Sequence, residues 1–133
     1  MPFDPELVVT SSPNDAGSGF NASLPLLARP DRPTAVFCFN DRMAMGAYQA
    51  AAELGLRIPD DVSIVGFDDQ ELIASNLRPG LTTMRLPHYE MGQWAVRTLL
   101  GLIQAGETAP GVTHALLPCP LVRRASVSSP PQL

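Results

Sequence analysis

Two pairs of residues with polar side chains each follow a run of strand-forming apolar residues. Asn40-Asp41 follows Thr34–Phe39, and Asp68-Asp69 follows Val62–Phe67. A carboxylate can accept hydrogen bonds from two neighbouring hydroxyl groups, and an amide can both donate and accept. Side chains of these types would suit a sugar or another polyol as the ligand.

Other roles for these residues remain open. Asp is common in turns, which would explain Asp68 and Asp69 without any ligand. The side-chain oxygens of Asn40 and Asp41 can cap a following helix by accepting from its free backbone N–H groups. A third interpretation is a metal site in which Glu71 adds a further oxygen ligand to the aspartate pair.

Catalytic patterns are weak in this sequence. It has no G-x-S-x-G motif, and its two histidines lie on different predicted elements without an obvious nucleophile beside them. Gly17-Ser18-Gly19 lacks the third glycine of a dinucleotide-binding loop. We therefore expect no enzyme activity, no cofactor and no bound metal.

The elements that would position the polar pairs alternate between strand and helix. Apolar runs predict strands, and apolar residues at spacings of three and four predict helices. Pro25 predicts a kink or a late start near Ser23 in the first helix. The predicted strands are Glu6–Thr10, Thr34–Phe39, Val62–Phe67, Leu81–Met84 and Ala115–Val122, and the predicted helices are Gly19–Ala28, Arg42–Leu54, Gln70–Leu77 and His88–Ala105.

Such alternation predicts an α/β fold with a doubly wound, mostly parallel sheet and flanking helices. The run Thr34–Phe39 is apolar throughout, which predicts burial on both faces. Two prolines in Ala115–Val122 predict an edge strand. In doubly wound sheets, ligands bind at the carboxyl ends of the strands, where both polar pairs would lie.

Composition narrows the class of protein. The chain has 133 residues, a net charge of −4, and 45% hydrophobic against 17% charged residues, which suits one compact domain. No apolar run is long enough for a membrane span, and the first residues do not resemble a secretory signal. We expect a cytoplasmic protein without membrane contact. Because acidic residues outnumber basic ones, we expect this chain to bind nucleic acid poorly.

Longer motifs resemble the lactose-repressor/galactose-repressor family of bacterial transcription regulators. They are PTAVFCFNDRMAMGA, GLRIPDDVSIVGFDD, LRPGLTT and the closing PLVRRASV. The resemblance implies a regulatory domain similar to periplasmic sugar-binding proteins, of which residues 1–124 would be the carboxyl-terminal part. It implies that the helix-turn-helix headpiece and the first subdomain are absent, and we expect residues 125–133 to be a flexible tail.

The resemblance also implies roles for individual residues. Asp68 matches the aspartate that bonds ligand hydroxyls or a base, Asn40 matches a sugar contact, and Asp41 matches the cap beside it. Asn14 falls near a position that stacks on the ligand. Residues of the helix after Asn40-Asp41 would pair subunits, although core packing is an equal alternative for them: Met43, Met45, Ala47 and Tyr48.

The predicted function is effector sensing in a transcription regulator. The effector would be a small molecule, a sugar in preference to a purine, and its binding would modulate operator affinity through the missing headpiece. We expect a homo-oligomer, most simply a dimer, because the broad apolar face of His88–Ala105 favours association. The alternatives are a truncated periplasmic-type sugar-binding protein of a transport system and a small metal-dependent α/β enzyme.

Overall fold

The computed structural model describes residues 4–106 and 114–130. In this part of the chain, β1 (Ala35–Phe37) pairs in parallel with β2 (Ser63–Asp68), and β2 pairs in parallel with β3 (Thr82–Arg85). β4 (Leu121–Val122) pairs antiparallel with β3, which gives the order β1-β2-β3-β4. The predicted α/β class with a mostly parallel sheet is confirmed.

The described residues form two compact units. The first contains the chain up to Arg85 and resumes at Leu121, so it holds all four strands. Its helices are α1 (Ala16–Leu27), α2 (Asp41–Glu53) and the short α3 (Glu71–Ala74).

The second unit, Leu86–Pro120, contains one long helix, α4 (His88–Ala105). No residue of α4 is buried, and its exposed side chains include Val96, Leu99 and Ile103. This is the apolar face that the sequence predicts to favour association. None of the described helices is both long and apolar enough to cross a membrane.

α1 begins earlier than predicted. Its start is fixed by a capping box, in which the Ser18 backbone N–H donates to Asp15 Oδ1 at 2.8 Å and the Asp15 N–H donates to Ser18 Oγ at 3.0 Å. This pair satisfies free donors of the first turn. The expected late start near Ser23 is wrong, because Pro25 lies in the last turn of α1 and is exposed there.

α2 matches its prediction to within one residue. Asn40 is its N-cap, and the Met43 N–H donates to Asn40 Oδ1 at 2.8 Å. Gly55, just after the helix, has a φ of +68°, a conformation that glycine adopts without steric penalty. Apolar residues of α2 join the strands and α3 in one core: Ala44, Ala47, Ala50, Ala51, Val62, Ile64, Ala74 and Leu81.

Two predictions at the amino-terminal side of the sheet are wrong. In place of a strand at Glu6–Thr10, a 3-10 helix spans Pro5–Leu7, capped by Asp4, which accepts from the Glu6 N–H at 2.9 Å. β1 is not buried on both faces, because Ala35 and Phe37 are exposed and Val36 is only half-buried. Cys38, which directly follows β1, lies in the core, whereas Phe37 is 65% exposed because the described residues leave its side chain largely uncovered.

The carboxyl-terminal segment also differs from its prediction. Only Leu121–Val122 of the expected strand Ala115–Val122 pairs, since the two prolines before it lack a backbone donor. The expected flexible tail from residue 125 is wrong for its first residues. Ser126 is fully buried, and its backbone oxygen accepts from the Ile64 N–H at 2.9 Å. Residues 131–133 lie outside the described part.

We expect Ser126→Ala to lower the free energy of unfolding by about 1–2 kcal/mol. Ser126 Oγ accepts from the Thr82 N–H at 2.8 Å and donates to the Ile64 carbonyl at 2.6 Å. Alanine would leave the Thr82 N–H, in a buried residue, without its acceptor. Urea denaturation measures the loss, with Ser129→Ala at an exposed position as the matched control. If the two variants were equally stable, the Ser126 hydroxyl would not hold the carboxyl-terminal segment against β2 and β3.

Candidate functional site

Asp41 lies fully buried at the carboxyl end of the parallel sheet. Its Oδ1 accepts from Thr83 Oγ1 at 2.6 Å, and its Oδ2 accepts from the Gln70 backbone N–H at 2.7 Å. The carboxylate thus links the start of α2 to β3 and to the loop after β2. Gly66 makes room for it, because a Cβ at that position would overlap Asp41 Oδ1.

The surroundings of Asp41 raise the pKa of its carboxyl group. Burial is the largest cause, since the charged form loses its hydration. The hydrogen bonds from Thr83 and Gln70 oppose the shift, and the negative charges of Asp68 and Asp69 add to it. Three carboxyl groups therefore interact at this end of the sheet.

Asn40 and Asn14 are brought together. The Asn40 Nδ2 donates to the Asn14 carbonyl at 3.2 Å, while its Oδ1 caps α2. Both polar ends of the buried Asn40 amide thus have partners within the chain. Asn14 itself is exposed. The arrangement gives Asn40 a capping role and ties the segment before α1 to the carboxyl end of β1.

Asp68 is the last residue of β2 and has a φ of +113°. A φ this positive is sparsely populated for residues with a side chain, and such strain persists only where surrounding contacts hold it. Asp68 Oδ2 accepts from Gln70 Nε2 at 2.9 Å. Within residues 4–106 and 114–130 the structure gives Asp68 Oδ1 no hydrogen-bond partner, so this oxygen is available to a ligand.

Asp69 has a different environment, although it is the next residue. Its Oδ1 accepts from Arg124 Nη2 and its Oδ2 accepts from Arg85 Nε, both at 2.8 Å. Burial raises the pKa of this carboxyl group, but the two arginines outweigh burial and hold it below its ordinary value. Because both oxygens are engaged, Asp69 is a structural anchor rather than a ligand contact.

The alternative of a metal site finds little support in this geometry. The arginine pair already neutralises Asp69, one of the three carboxylates that would form such a site. In the described part of the chain, no group of three or more His, Cys, Asp or Glu side chains is arranged to hold a metal ion.

Residues 3–127 match the family model of the periplasmic binding protein-like domain. The chain belongs to this family. The transcriptional regulator MalR of Streptomyces coelicolor is 52% identical over 97 residues, which cover 73% of this chain and 28% of MalR. The chain thus spans less than a third of that relative. The regulators GalR of Salmonella typhimurium and PurR of Escherichia coli are 42% and 43% identical to this chain, which confirms the resemblance to the LacI/GalR family seen in the sequence.

Two solved structures of the family are also similar to this chain. The complex of the transcriptional regulator CelR with cellobiose has a TM-score of 0.82 and 32% identity, and covers 95% of this chain and 37% of CelR. The dimeric lac repressor with an 11-residue carboxyl-terminal deletion has a TM-score of 0.78 and 39% identity, covering 87% of this chain and 41% of that one.

The four residues of α2 that were predicted to contact a second subunit differ in their burial. Ala47 is fully buried, and Tyr48 is buried with its hydroxyl donating to the Pro79 carbonyl at 2.9 Å. For these two the interface prediction is wrong, because they pack in the core of their own chain. Met43 and Met45 are partly exposed, and their proposed subunit contact stays a prediction.

Several residues that build the site escaped the sequence analysis. Four residues contact the aspartates without belonging to any sequence motif, and all but one of their hydrogen bonds span 16 residues or more: Thr83, Gln70, Arg85 and Arg124. The one available signal was the adjacent pair Arg123-Arg124 in an otherwise dispersed set of arginines. The arginine pair gave no indication that Asp69 would be the partner of Arg124.

Proposed function

We propose that this chain forms one wall of a sugar-binding cleft in a transcription regulator of the LacI/GalR type. The observation that carries the proposal is Asp68, whose strained backbone places a carboxylate with an unpaired Oδ1 at the carboxyl end of β2. Ligands of open α/β sheets bind at this end. Strain at a residue of this kind is typical of ligand-binding positions.

The chemistry of Asp68 favours hydroxyl groups as partners. An ionised carboxylate only accepts hydrogen bonds, and bonds from a sugar hydroxyl to it are charge-assisted and strong. Asn14, exposed beside the buried Asn40, is the second contact that we propose, whereas Asn40 and Asp41 act by holding the contacts in place. The CelR structure, which holds cellobiose, supports a sugar over a purine.

In the intact regulator, we propose that sugar binding shifts the arrangement of two paired subunits and thereby the affinity for operator DNA. A ligand shifts such an equilibrium only by its difference in affinity for the two states, and the coupling is reciprocal. The dimeric state of the lac repressor neighbour supports pairing. DNA contact is assigned to a headpiece outside this chain, and this chain is given no catalytic role.

The proposal is tested by thermal denaturation of the chain with cellobiose, lactose, D-ribose or D-galactose, and with hypoxanthine as the purine. A sugar at a hundred times its dissociation constant should add about 2.7 kcal/mol to the free energy of unfolding. Asp68→Asn keeps the shape of the side chain and should weaken sugar binding by about 1.5–3 kcal/mol, as a charge-assisted hydrogen bond is lost, so most of this gain should disappear at the same sugar concentration.

Asp60→Asn is the matched control, because Asp60 is an exposed aspartate whose ion pair with Arg57 is 3.4 Å long. It should respond to the sugar as the unmodified chain does. If hypoxanthine alone stabilised the chain, the ligand would be a purine and the proposed sugar would be wrong. If the sugar stabilised the Asp68→Asn variant as much as the unmodified chain, Asp68 would not be a ligand contact.

A further inference from the structure

The hydrogen bonds of Gln70 connect two carboxylates, those of Asp41 and Asp68. Its backbone N–H donates to Asp41 Oδ2 at 2.7 Å, and its side-chain Nε2 donates to Asp68 Oδ2 at 2.9 Å. Gln70 therefore links a fully buried carboxylate to the carboxylate that the proposed function assigns to the ligand.

Asp41 is itself held rigidly. Thr83 Oγ1, on the neighbouring strand β3, donates to its Oδ1, and Thr83 is fully buried as well. Gly66 lies opposite Thr83 in the β2–β3 register and leaves the space that the carboxylate fills. The position of the Asp41 carboxylate is thus set by β2, through the space at Gly66, and by β3, through the hydrogen bond from Thr83.

A capping role does not account for Asp41. The first turn of α2 is capped by Asn40, whose Oδ1 accepts from the Met43 N–H. Asp41 is the first helical residue, and its side chain turns to the β2–α3 loop and to β3. A buried charge next to Asp68 and Asp69 is unfavourable for folding alone. Its contact with the Gln70 N–H instead fixes the loop between β2 and α3, while its contact with Thr83 fixes the carboxylate itself.

We propose that Asp41 is a positioning residue that fixes the Asp68 carboxylate for ligand binding, acting through Gln70. The inference rests on the proposed function. Asp69 completes the arrangement from the other side, because Arg85 and Arg124 immobilise it next to Asp68. The Asp68 carboxylate, which would bind the sugar, is thereby held in place by Gln70 and by the immobilised Asp69. Because it is already ordered, sugar binding has to remove less conformational entropy.

Three variants separate positioning from general stability. Asp41→Ala removes the acceptor of the Gln70 N–H. Asp41→Asn retains it, since the amide oxygen can accept from Gln70 while the amide nitrogen donates to Thr83 Oγ1. Gln70→Ala cuts the link to Asp68 and leaves the Asp41 contact with the backbone intact. Glu71→Ala, at an exposed neighbouring position, is the matched control.

Affinity for whichever sugar of the panel stabilises the unmodified chain is measured by calorimetry. Asp41→Ala and Gln70→Ala should each weaken it by about tenfold or more, the equivalent of one charge-assisted hydrogen bond. Asp41→Asn and Glu71→Ala should stay within about threefold of the unmodified chain. Unchanged affinity in Gln70→Ala overturns the link, and an equal loss in Asp41→Asn shows that Asp41 acts through its charge and overturns positioning.

Amide hydrogen exchange provides a readout that needs no sugar. The Gln70 amide should exchange about tenfold faster or more in Asp41→Ala and at an unchanged rate in Asp41→Asn, while the Ile64 amide within β2 stays protected in both. If no sugar binds the unmodified chain, the proposed function fails, and this measurement alone decides whether Asp41 holds the loop. An unchanged Gln70 rate in Asp41→Ala then overturns the inference.

Discussion

Gly46→Ala is expected to lower the free energy of unfolding of the first unit by about 3 kcal/mol, the upper end of the range for overpacked interiors. Gly46 lies on α2 where that helix meets α1. A Cβ there would overlap the Ala16 carbonyl oxygen and the Phe20 backbone nitrogen of α1. These are backbone atoms of a helix, so they cannot move aside as the end of a side chain would.

The contact is reciprocal, which is why we expect the full effect. A Cβ on Gly19 of α1 would overlap the backbone of Met43 on α2. The two glycines therefore let the helix backbones approach each other closely. Separating the helices would also displace the start of α2, where Asn40 and Asp41 lie, so weaker sugar binding should accompany the loss of stability.

Urea denaturation followed by circular dichroism measures the effect of Gly46→Ala. Gly17→Ala is the matched control, because Gly17 is also a helical glycine, in α1, and the nearest atom to its added Cβ would be Asp15 Oδ1 at 3.6 Å. Alanine favours helix over glycine, so this control should be unchanged or more stable by up to about 1 kcal/mol. Equal stability of the two variants would show that the helices are not in close contact.

Local signals made one part of this structure predictable. Asn40 as a cap, α2 after it and Gly55 at its end all lie within about four turns of helix, and each is specified by neighbours in the sequence. β2 was equally predictable, because a continuous apolar run bounded by turn residues has few alternatives. The position of the polar pairs at the carboxyl ends of β1 and β2 followed from these elements.

The roles of the three aspartates, Asp41, Asp68 and Asp69, were not predictable, because they depend on distant partners. Asp68 and Asp69 have identical side chains, and their partners distinguish them: two arginines engage Asp69, whereas Gln70 donates to Asp68. Asp41 was interpreted as a cap, whereas its partners are 29 and 42 residues away. Periodicity and spacing contain no information on such pairs.

The exposed face of β1 shows a different limit of sequence reasoning. An apolar run such as Thr34–Phe39 indicates that both faces of the strand suit burial, but it does not indicate what covers them. In this chain Phe37 and Phe39 are 65% and 66% exposed. The apolar run therefore predicts the strand but not the burial of its two faces.

Arg124→Ala is expected to lower the free energy of unfolding by about 2 kcal/mol at neutral pH. Removing one partner of a buried ion pair leaves the other charge desolvated, which costs about 3–5 kcal/mol where no second partner remains. Here Arg85 stays bound to Asp69, so we expect a smaller loss. Arg124 also donates to the Leu81 carbonyl at 2.9 Å, and this contact is lost at every pH.

The loss should depend on pH in a defined direction. The pKa of Asp69 is held below its ordinary value of 3.8 in the folded chain, so its ionised form stabilises the fold above that pH. This stabilisation disappears as the pH falls through the folded-state pKa, because Asp69 then becomes neutral in both states. The difference between the unmodified chain and Arg124→Ala should therefore be largest above pH 3.8 and shrink below it.

Urea denaturation at neutral pH and at a pH of about 3 measures both parts of this prediction. Arg123→Ala is the matched control, since Arg123 is the exposed neighbour in the same segment. Its effect should be small and should not change with pH in this range. If Arg124→Ala were as stable as this control at neutral pH, Asp69 would not be an anchor, and its carboxylate would be as available to a ligand as that of Asp68.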